Sequence, residues 1–297
     1  MNKKYRVAVC LSGLFRNWDL CRANFRYWET LHGDISFEYF ISTWDETQYL
    51  TYDEKTQEVK REVKPVTPNH FVNDFNENQL KSYKLNTEDP KSFRSIQESG
   101  VNIVWNNKKY AFLFMDVNLL KVEYELENNF IYDAVISTRP DVLIHHTSID
   151  LLKELFLNDN VFKEDTLEIF LDKQMQSCND KSLAWGYTAS DVFSFSRSST
   201  MDIYSGIYRY AYMSEEYNMV RSAGSVNPFY MRYAGLWEAH IRRSNRKKIY
   251  LPMAARLGLR THKEKLNSGE WVYHNWHNID KITWEMPIKN KYENYHG

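Results

Sequence analysis

The sequence predicts an α/β fold built on one mostly parallel central sheet flanked by helices. Three observations carry that prediction. Short, largely apolar runs recur at Val7 to Leu11, Phe37 to Ser42 and Tyr132 to Ser137, and such a run is how a strand buried on both faces reads. Stretches with helical spacing lie between them, so strand and helix alternate as in βαβ units. The 297 residues include only 10 Gly and 7 Pro, too few for an array of short strands joined by tight turns.

Taken in order, the first strand is Val7 to Leu11, ended by Ser12-Gly13. A helix follows from about Asn17, with Leu20, Phe25 and Trp28 among its apolar positions. The second strand, Phe37 to Ser42, closes in Thr43-Trp44-Asp45. Residues 46–100 are polar and charged, with Pro65, Pro68 and Pro90 scattered through them. They read as an insertion of loops and short helices, or a lid, within a single domain. A third strand is expected at Val101 to Trp105. A long helix from Lys108 to Asn129 then carries Phe112, Met115, Leu119, Val122 and Leu126 at three- and four-residue spacing, and Asn128-Asn129 supplies its stop. The fourth strand, Tyr132 to Ser137, runs into Thr138-Arg139-Pro140-Asp141. Further strands are expected at Leu167 to Leu171 and Val192 to Ser196, and helices at Ser198 to Met219 and Pro228 to Arg243. The tail, 262–297, is rich in Trp, Tyr and His and is expected to close the site.

Composition excludes several classes. A hydrophobic fraction of 43% and an aromatic fraction of 15% fit neither a disordered chain nor a coiled coil. Lys and Arg number 38 against 39 Asp and Glu, a net charge of −1, so no global field draws the chain to nucleic acid or an acidic membrane. Three cysteines, Cys10, Cys21 and Cys178, are too few for a disulfide framework. The N-terminal apolar run is broken by Ser12, Gly13 and Arg16 before it reaches signal-peptide length. No run approaches the roughly 20 residues that span a bilayer. A soluble, cytoplasmic protein is expected.

Five groups of residues have chemistry to offer. Ser12, Gly13 and Arg16 follow the first strand, where open α/β sheets bind ligands. Gly13 lets the backbone come close, and Arg16 suits a phosphate. The turn matches neither a dinucleotide fingerprint nor a P-loop. Asp45 follows the second strand, as a helix cap or a ribose ligand, beside Trp44, which suits either the core or a stacked base. Arg139 and Asp141 end the fourth strand, either as an ion pair or as a carboxylate for a hard cation beside a guanidinium for phosphate. His274 and His277 have HxxH spacing near His262, as surface residues or as one ligand completing a metal site. The basic run Arg242-Arg243-Ser244-Asn245-Arg246-Lys247-Lys248 reads as a solvated helix end or as a phosphate-binding patch.

Together these blocks resemble a family of nucleotide-sugar glycosyltransferases with a GT-A-like fold, found in bacteria, phages and large viruses. The resemblance rests on Ser12-Gly13-Leu-Phe-Arg16 after the first strand, Thr43-Trp44-Asp45 after the second, and Tyr132-Asp133 through Arg139-Pro140-Asp141. Asp191 before an apolar strand, Met201-Asp202-Ile-Tyr204, and Glu238 in a late helix complete it. The familiar GT-A metal motif is Asp-x-Asp, and this chain has Arg139-Pro140-Asp141 instead.

The resemblance implies transfer of a sugar from a nucleoside diphosphate, UDP-linked, to a hydroxyl acceptor. Ser12, Gly13, Arg16 and Asp45 would hold the nucleotide. Asp141, with His274 or His277, would hold Mn²⁺ or Mg²⁺, Arg139 would support the departing charge, and Asp191 or Glu238 would be the general base. The acceptor is expected to be a hydroxymethylated base of phage DNA or a surface glycan. The competing expectation is a non-catalytic nucleic-acid-binding module using residues 242–248.

Overall fold

The computed structural model describes residues 5–15, 18–53, 58–87, 102–144, 168–172, 193–209, 247–251, 254–256, 263–265 and 271–273. The chain divides into two compact units, residues 1–49 with 63–256 and residues 50–62 with 257–297.

The first unit is organised by strand β1 (Tyr5–Ser12), whose residues from Val7 to Ser12 are buried. β1 pairs in parallel with β2 (Ile35–Trp44) over eight positions, and on its other side with β6 (Ala134–Thr138) over five. Its apolar run therefore hydrogen-bonds on both sides and is covered on both faces, as the sequence predicts. Helix α1 (Trp18–Leu31) connects β1 to β2. It packs on the face that carries Phe37 and Tyr39, with Trp28 against Phe37 at 5.5 Å and Phe25 against Trp28 at 4.8 Å between ring centroids. The opposite face, carrying Ala8, Cys10, Phe40 and Val135, packs against α2 (Asn102–Glu127) and α3 (Ser198–Ser205) through Phe114, Val117, Met201 and Tyr204.

Within residues 46–100 the chain is extended in three places. β3 (Glu46–Asp53) and β4 (Glu58–Pro65) form a two-stranded sheet, and β5 (Leu80–Asn86) pairs in parallel with β2 at the edge of the main sheet. Loops and short helices are expected there; among the described residues the 3₁₀ turns at Pro68–His70 and Val72–Asp74 and the loop residues beside them fit that expectation, and the strands do not. β5 escapes sequence reading because an edge strand is half solvated, and Leu-Lys-Ser-Tyr-Lys-Leu-Asn is correspondingly polar. The strand expected at Val101 to Trp105 is also corrected, since α2 already includes residues 102–105.

The buried stripe of α2 is a second correction. Leu119 and Leu126 are 37% and 76% exposed, whereas Ala111, Phe114, Asn118, Lys121 and Glu125 are buried. The stripe is one residue out of step with the apolar spacing because it carries charge that is neutralised inside. Lys121 is fully buried, with Nζ 2.9 Å from Glu125 and 2.6 Å from Asp202, and it donates to the Ser198 hydroxyl. That hydroxyl donates in turn to Glu125 at 2.8 Å, so α2 and α3 share one polar network. The helix ends where the sequence predicts: Asn129 adopts a left-handed φ of 51°, and the Phe130 N–H bonds back to the Glu125 carbonyl.

Beyond β6 the main sheet continues through β9 (Phe193–Ser196), β8 (Glu168–Asp172) and β10 (Lys247–Leu251), in the order β10-β8-β9-β6-β1-β2-β5. β9 is antiparallel to both neighbours, and the other six strands share one direction. β7 (Val142–Ile144) leaves the sheet and pairs antiparallel with β11 (Ala254–Arg256). In the second unit, β12 (Lys263–Lys265) and β13 (Trp271–Tyr273) form an antiparallel pair. Among the described residues, no helix is long and apolar enough to cross a membrane.

At the amino edge of the sheet, Arg6 reaches across to β2. Its Nε and Nη2 donate to the Glu38 carboxylate at 2.9 and 2.8 Å, the Tyr132 hydroxyl donates to Oε2 at 2.7 Å, and the guanidinium lies 3.6 Å over the Phe130 ring. Burial alone would raise the Glu38 carboxyl, but hydrogen bonds from Arg6 and Tyr132 outweigh it and hold the pKa below its ordinary value. A carboxyl whose folded pKa is depressed contributes stability above its unfolded pKa of about 4.3 and loses it as pH falls through the folded value. Glu38→Gln is therefore expected to cost about 1.5–3 kcal/mol at neutral pH. Urea midpoints measured from pH 7 downward should converge with the parent's below about pH 4; a gap that stays constant with pH would refute this role for the charge.

Candidate functional site

From β1 the chain adds β2 and then β5 on one side, and then returns to lay β6 on the other. The boundary between β1 and β6 is thus a switch point, the kind of place where open α/β sheets as a class bind ligands. Ser12-Gly13 at the end of β1 and Arg139-Pro140-Asp141 at the end of β6 meet there. The Gly13 N–H donates to the Ser42 carbonyl at 3.4 Å, and Gly13 adopts a φ of +130°. A Cβ at this position would lie 3.6 Å from Pro140 Cδ and 3.9 Å from Arg139 Cγ, so the two turns are in close packing.

Side-chain alternation puts Ser12 on the face of Ala8 and Cys10, toward α2. Its hydroxyl is fully buried and has no hydrogen-bond partner. Ser137, which stands beside Cys10 in register, is likewise buried with an unpartnered hydroxyl. Buried polar atoms are nearly always paired, and these two unpaired hydroxyls stand in adjacent strands near the β1–β6 boundary.

Arg139 and Asp141 form a fork-to-fork pair, Nε to Oδ1 at 2.7 Å and Nη2 to Oδ2 at 2.8 Å, with both side chains buried. The guanidinium carbon lies 5.5 Å from the centre of the Tyr110 ring of α2. On the other face, Asn24 of α1 clamps the start of the next segment: its amide donates to the Ile144 carbonyl at 3.1 Å and accepts from the Ile144 N–H at 2.9 Å. Cys21 lies nearby; burial and then the charge of Asp141 push its thiol well above its ordinary pKa. A thiol in that state is inert.

Asp45 is at the same edge, after β2, where it accepts from the Thr87 hydroxyl at 2.8 Å. Beside it lies a cluster that sequence reasoning missed. Asp116 of α2 accepts from Ser42 at 2.7 Å, Asn86 at 3.0 Å and Lys84 at 2.7 Å. This cluster ties the ends of β2 and β5 to the helix. The available signal was a carboxylate on the buried side of an otherwise apolar helical turn, between Met115 and Val117. Trp44 packs against Leu113 and stacks at 5.8 Å on Phe112, the core role rather than the base-stacking one.

The first residue of β9, Phe193, pairs with Thr138, one position before Arg139. Asp191, two positions earlier in sequence, lies outside the described residues, as do Arg16, Glu238, His274 and His277. Of the basic run, residues 242–246 also lie outside them. Lys247 and Lys248 begin β10, which runs parallel to β8 and starts at the sheet's amino edge, opposite the carboxyl ends of β1 and β6. That edge also has a cleft of about 500 Å³ between the end of α2 and the start of α3, lined by Val122, Leu126, Ile131 and Asp202 among others. It is away from the strand ends where Arg139 stands.

Fit to a divalent cation can be tested on Asp141. A hard cation needs oxygen lone pairs, and both Asp141 oxygens already accept from Arg139. A cation on the remaining lone pairs would lie against the buried guanidinium, which disfavours a resident metal at this carboxylate. Among the described residues, no group of three or more His, Cys, Asp or Glu is disposed to hold an ion.

The fold defines an α/β domain whose mostly parallel sheet has a switch point between β1 and β6. A scan against protein-family models finds no match to this chain, and a search of curated proteins finds none.

Asp141→Ala leaves a buried guanidinium without its carboxylate and is expected to cost about 3–5 kcal/mol in urea unfolding. Gly13→Ala is expected to cost about 1–3 kcal/mol, because φ at +130° strains a residue with a Cβ even where there is room for it. Equal stability of Gly13→Ala and parent would show that the turn relaxes freely.

Proposed function

We propose that the chain is a nucleotide-sugar glycosyltransferase of GT-A-like fold, moving a sugar from a nucleoside diphosphate, UDP-linked, to a hydroxyl acceptor. The observation that carries this reading is the convergence of Ser12, Gly13 and Arg139 at the carboxyl edge between β1 and β6. A mostly parallel sheet with one reversed strand is in keeping with the GT-A-like resemblance.

In this reading the diphosphate lies across the switch point. Ser12 donates a hydrogen bond to it, Gly13 admits it close to the backbone, and the Arg139 guanidinium meets the charge that grows on the leaving group. Electrostatic stabilisation of that departing charge is the larger part of the rate enhancement. Asp45 lies toward the nucleoside side, and Arg16 is a further phosphate contact by resemblance. Asp191 is preferred over Glu238 as the base that takes the acceptor's proton, because it is two positions before Phe193, the residue paired with Thr138. The acceptor is a hydroxyl of a glycan or of a hydroxymethylated DNA base.

A thermal-shift screen of UDP-, GDP- and CMP-linked sugars tests the reading. At 100-fold excess over Kd, one ligand class should raise stability by about 2.7 kcal/mol. Donor turnover should fall at least about a hundredfold in Arg139→Ala, the scale seen when one donor to a developing charge is lost. Salt-sensitive DNA affinity with no response to any nucleotide sugar would favour a nucleic-acid-binding module instead.

A further inference from the structure

Arg139 and Asp141 stand on either side of Pro140, and their two parallel hydrogen bonds use both carboxylate oxygens. A divalent cation at this carboxylate would have to displace a buried guanidinium or sit against it. The same geometry supplies what an anion-binding arginine needs: a planar fork fixed by a carboxylate on one side and by the Tyr110 ring at 5.5 Å. In the turn that packs against Arg139, the fully buried Ser12 hydroxyl lacks any protein partner. Gly13, at a φ of +130°, lets the adjoining turn pack against Pro140 and Arg139. The orphaned hydroxyl and the braced guanidinium are the donors this turn could offer to phosphate oxygens.

Resting on the nucleotide-sugar reading, we propose that Arg139, oriented by Asp141, takes the place of a divalent cation, so that a nucleoside diphosphate binds without metal. Asp141 is then a positioning residue, and Arg139 and Ser12 touch the phosphates. The charge-balanced pair holds the guanidinium in place before the ligand arrives, which lowers the ordering cost of binding.

Isothermal titration of UDP into the full chain, in EDTA and again with Mn²⁺, tests this on the parent protein. The dissociation constants should agree within about threefold. Arg139→Gln should weaken binding by roughly tenfold or more in both buffers, the size of one charge-assisted hydrogen bond, with Arg139→Lys recovering part of the loss. Asp141→Asn should weaken binding equally in EDTA and Mn²⁺; a metal ligand would instead show its loss only with Mn²⁺. UDP binding that requires Mn²⁺ overturns the proposal and leaves the glycosyltransferase reading standing. Failure of UDP, GDP and CDP to bind in either buffer overturns both.

Discussion

Burial of β1 on both faces and both edges is the constraint from which the rest of the first unit follows. Its inner residues have no contact with water, so every backbone group must find a partner in β2 or β6, and each face must be covered by helix. α1 covers one face, and α2 with α3 the other. The exposed parts of such a strand are its ends. The amino end is closed by Arg6, Glu38 and Tyr132. The carboxyl end is left with Ser12 and Gly13 facing the turn that follows β6. The amino edge is thereby held by an ion pair, and the carboxyl edge by close packing of two turns.

The two edges also divide the charged groups. Arg6 with Glu38 and Lys121 with Glu125 and Asp202 hold strands and helices together. Arg139 with Asp141 joins residues two apart in sequence, and the guanidinium also lies 5.5 Å from the Tyr110 ring of α2. Buried ion pairs rarely stabilise a fold better than apolar residues of the same size.

Much of this was legible in the sequence, for physical reasons. Strands buried on both faces, β1, β2 and β6, announce themselves by continuous apolar runs, and Asn128-Asn129 marks the end of α2. Arg139 and Asp141 are neighbours by chain alone, so their meeting needed no tertiary knowledge. Four features were not legible. β5 is an edge strand whose polarity mimics a loop. Residues 102–105 look like a strand because a short apolar run carries no period of its own. The inner stripe of α2 was displaced because Lys121 and Glu125 look like solvent-facing residues until their partners on α3 are known. Asp116 escaped for the same reason: its partners Ser42, Lys84 and Asn86 come from strands distant in sequence.

The reversed direction of β9 has a consequence for how such a protein diversifies. Parallel neighbours need a crossover that traverses a whole face of the sheet, and its length is bound to the helix that covers that face. β8 ends, and β9 begins, at the carboxyl edge, so the link between them departs and returns on one side. Residues can be inserted or lost in that link without rethreading the sheet. Evolution can therefore lengthen, shorten or replace it while every strand pairing stays as it is.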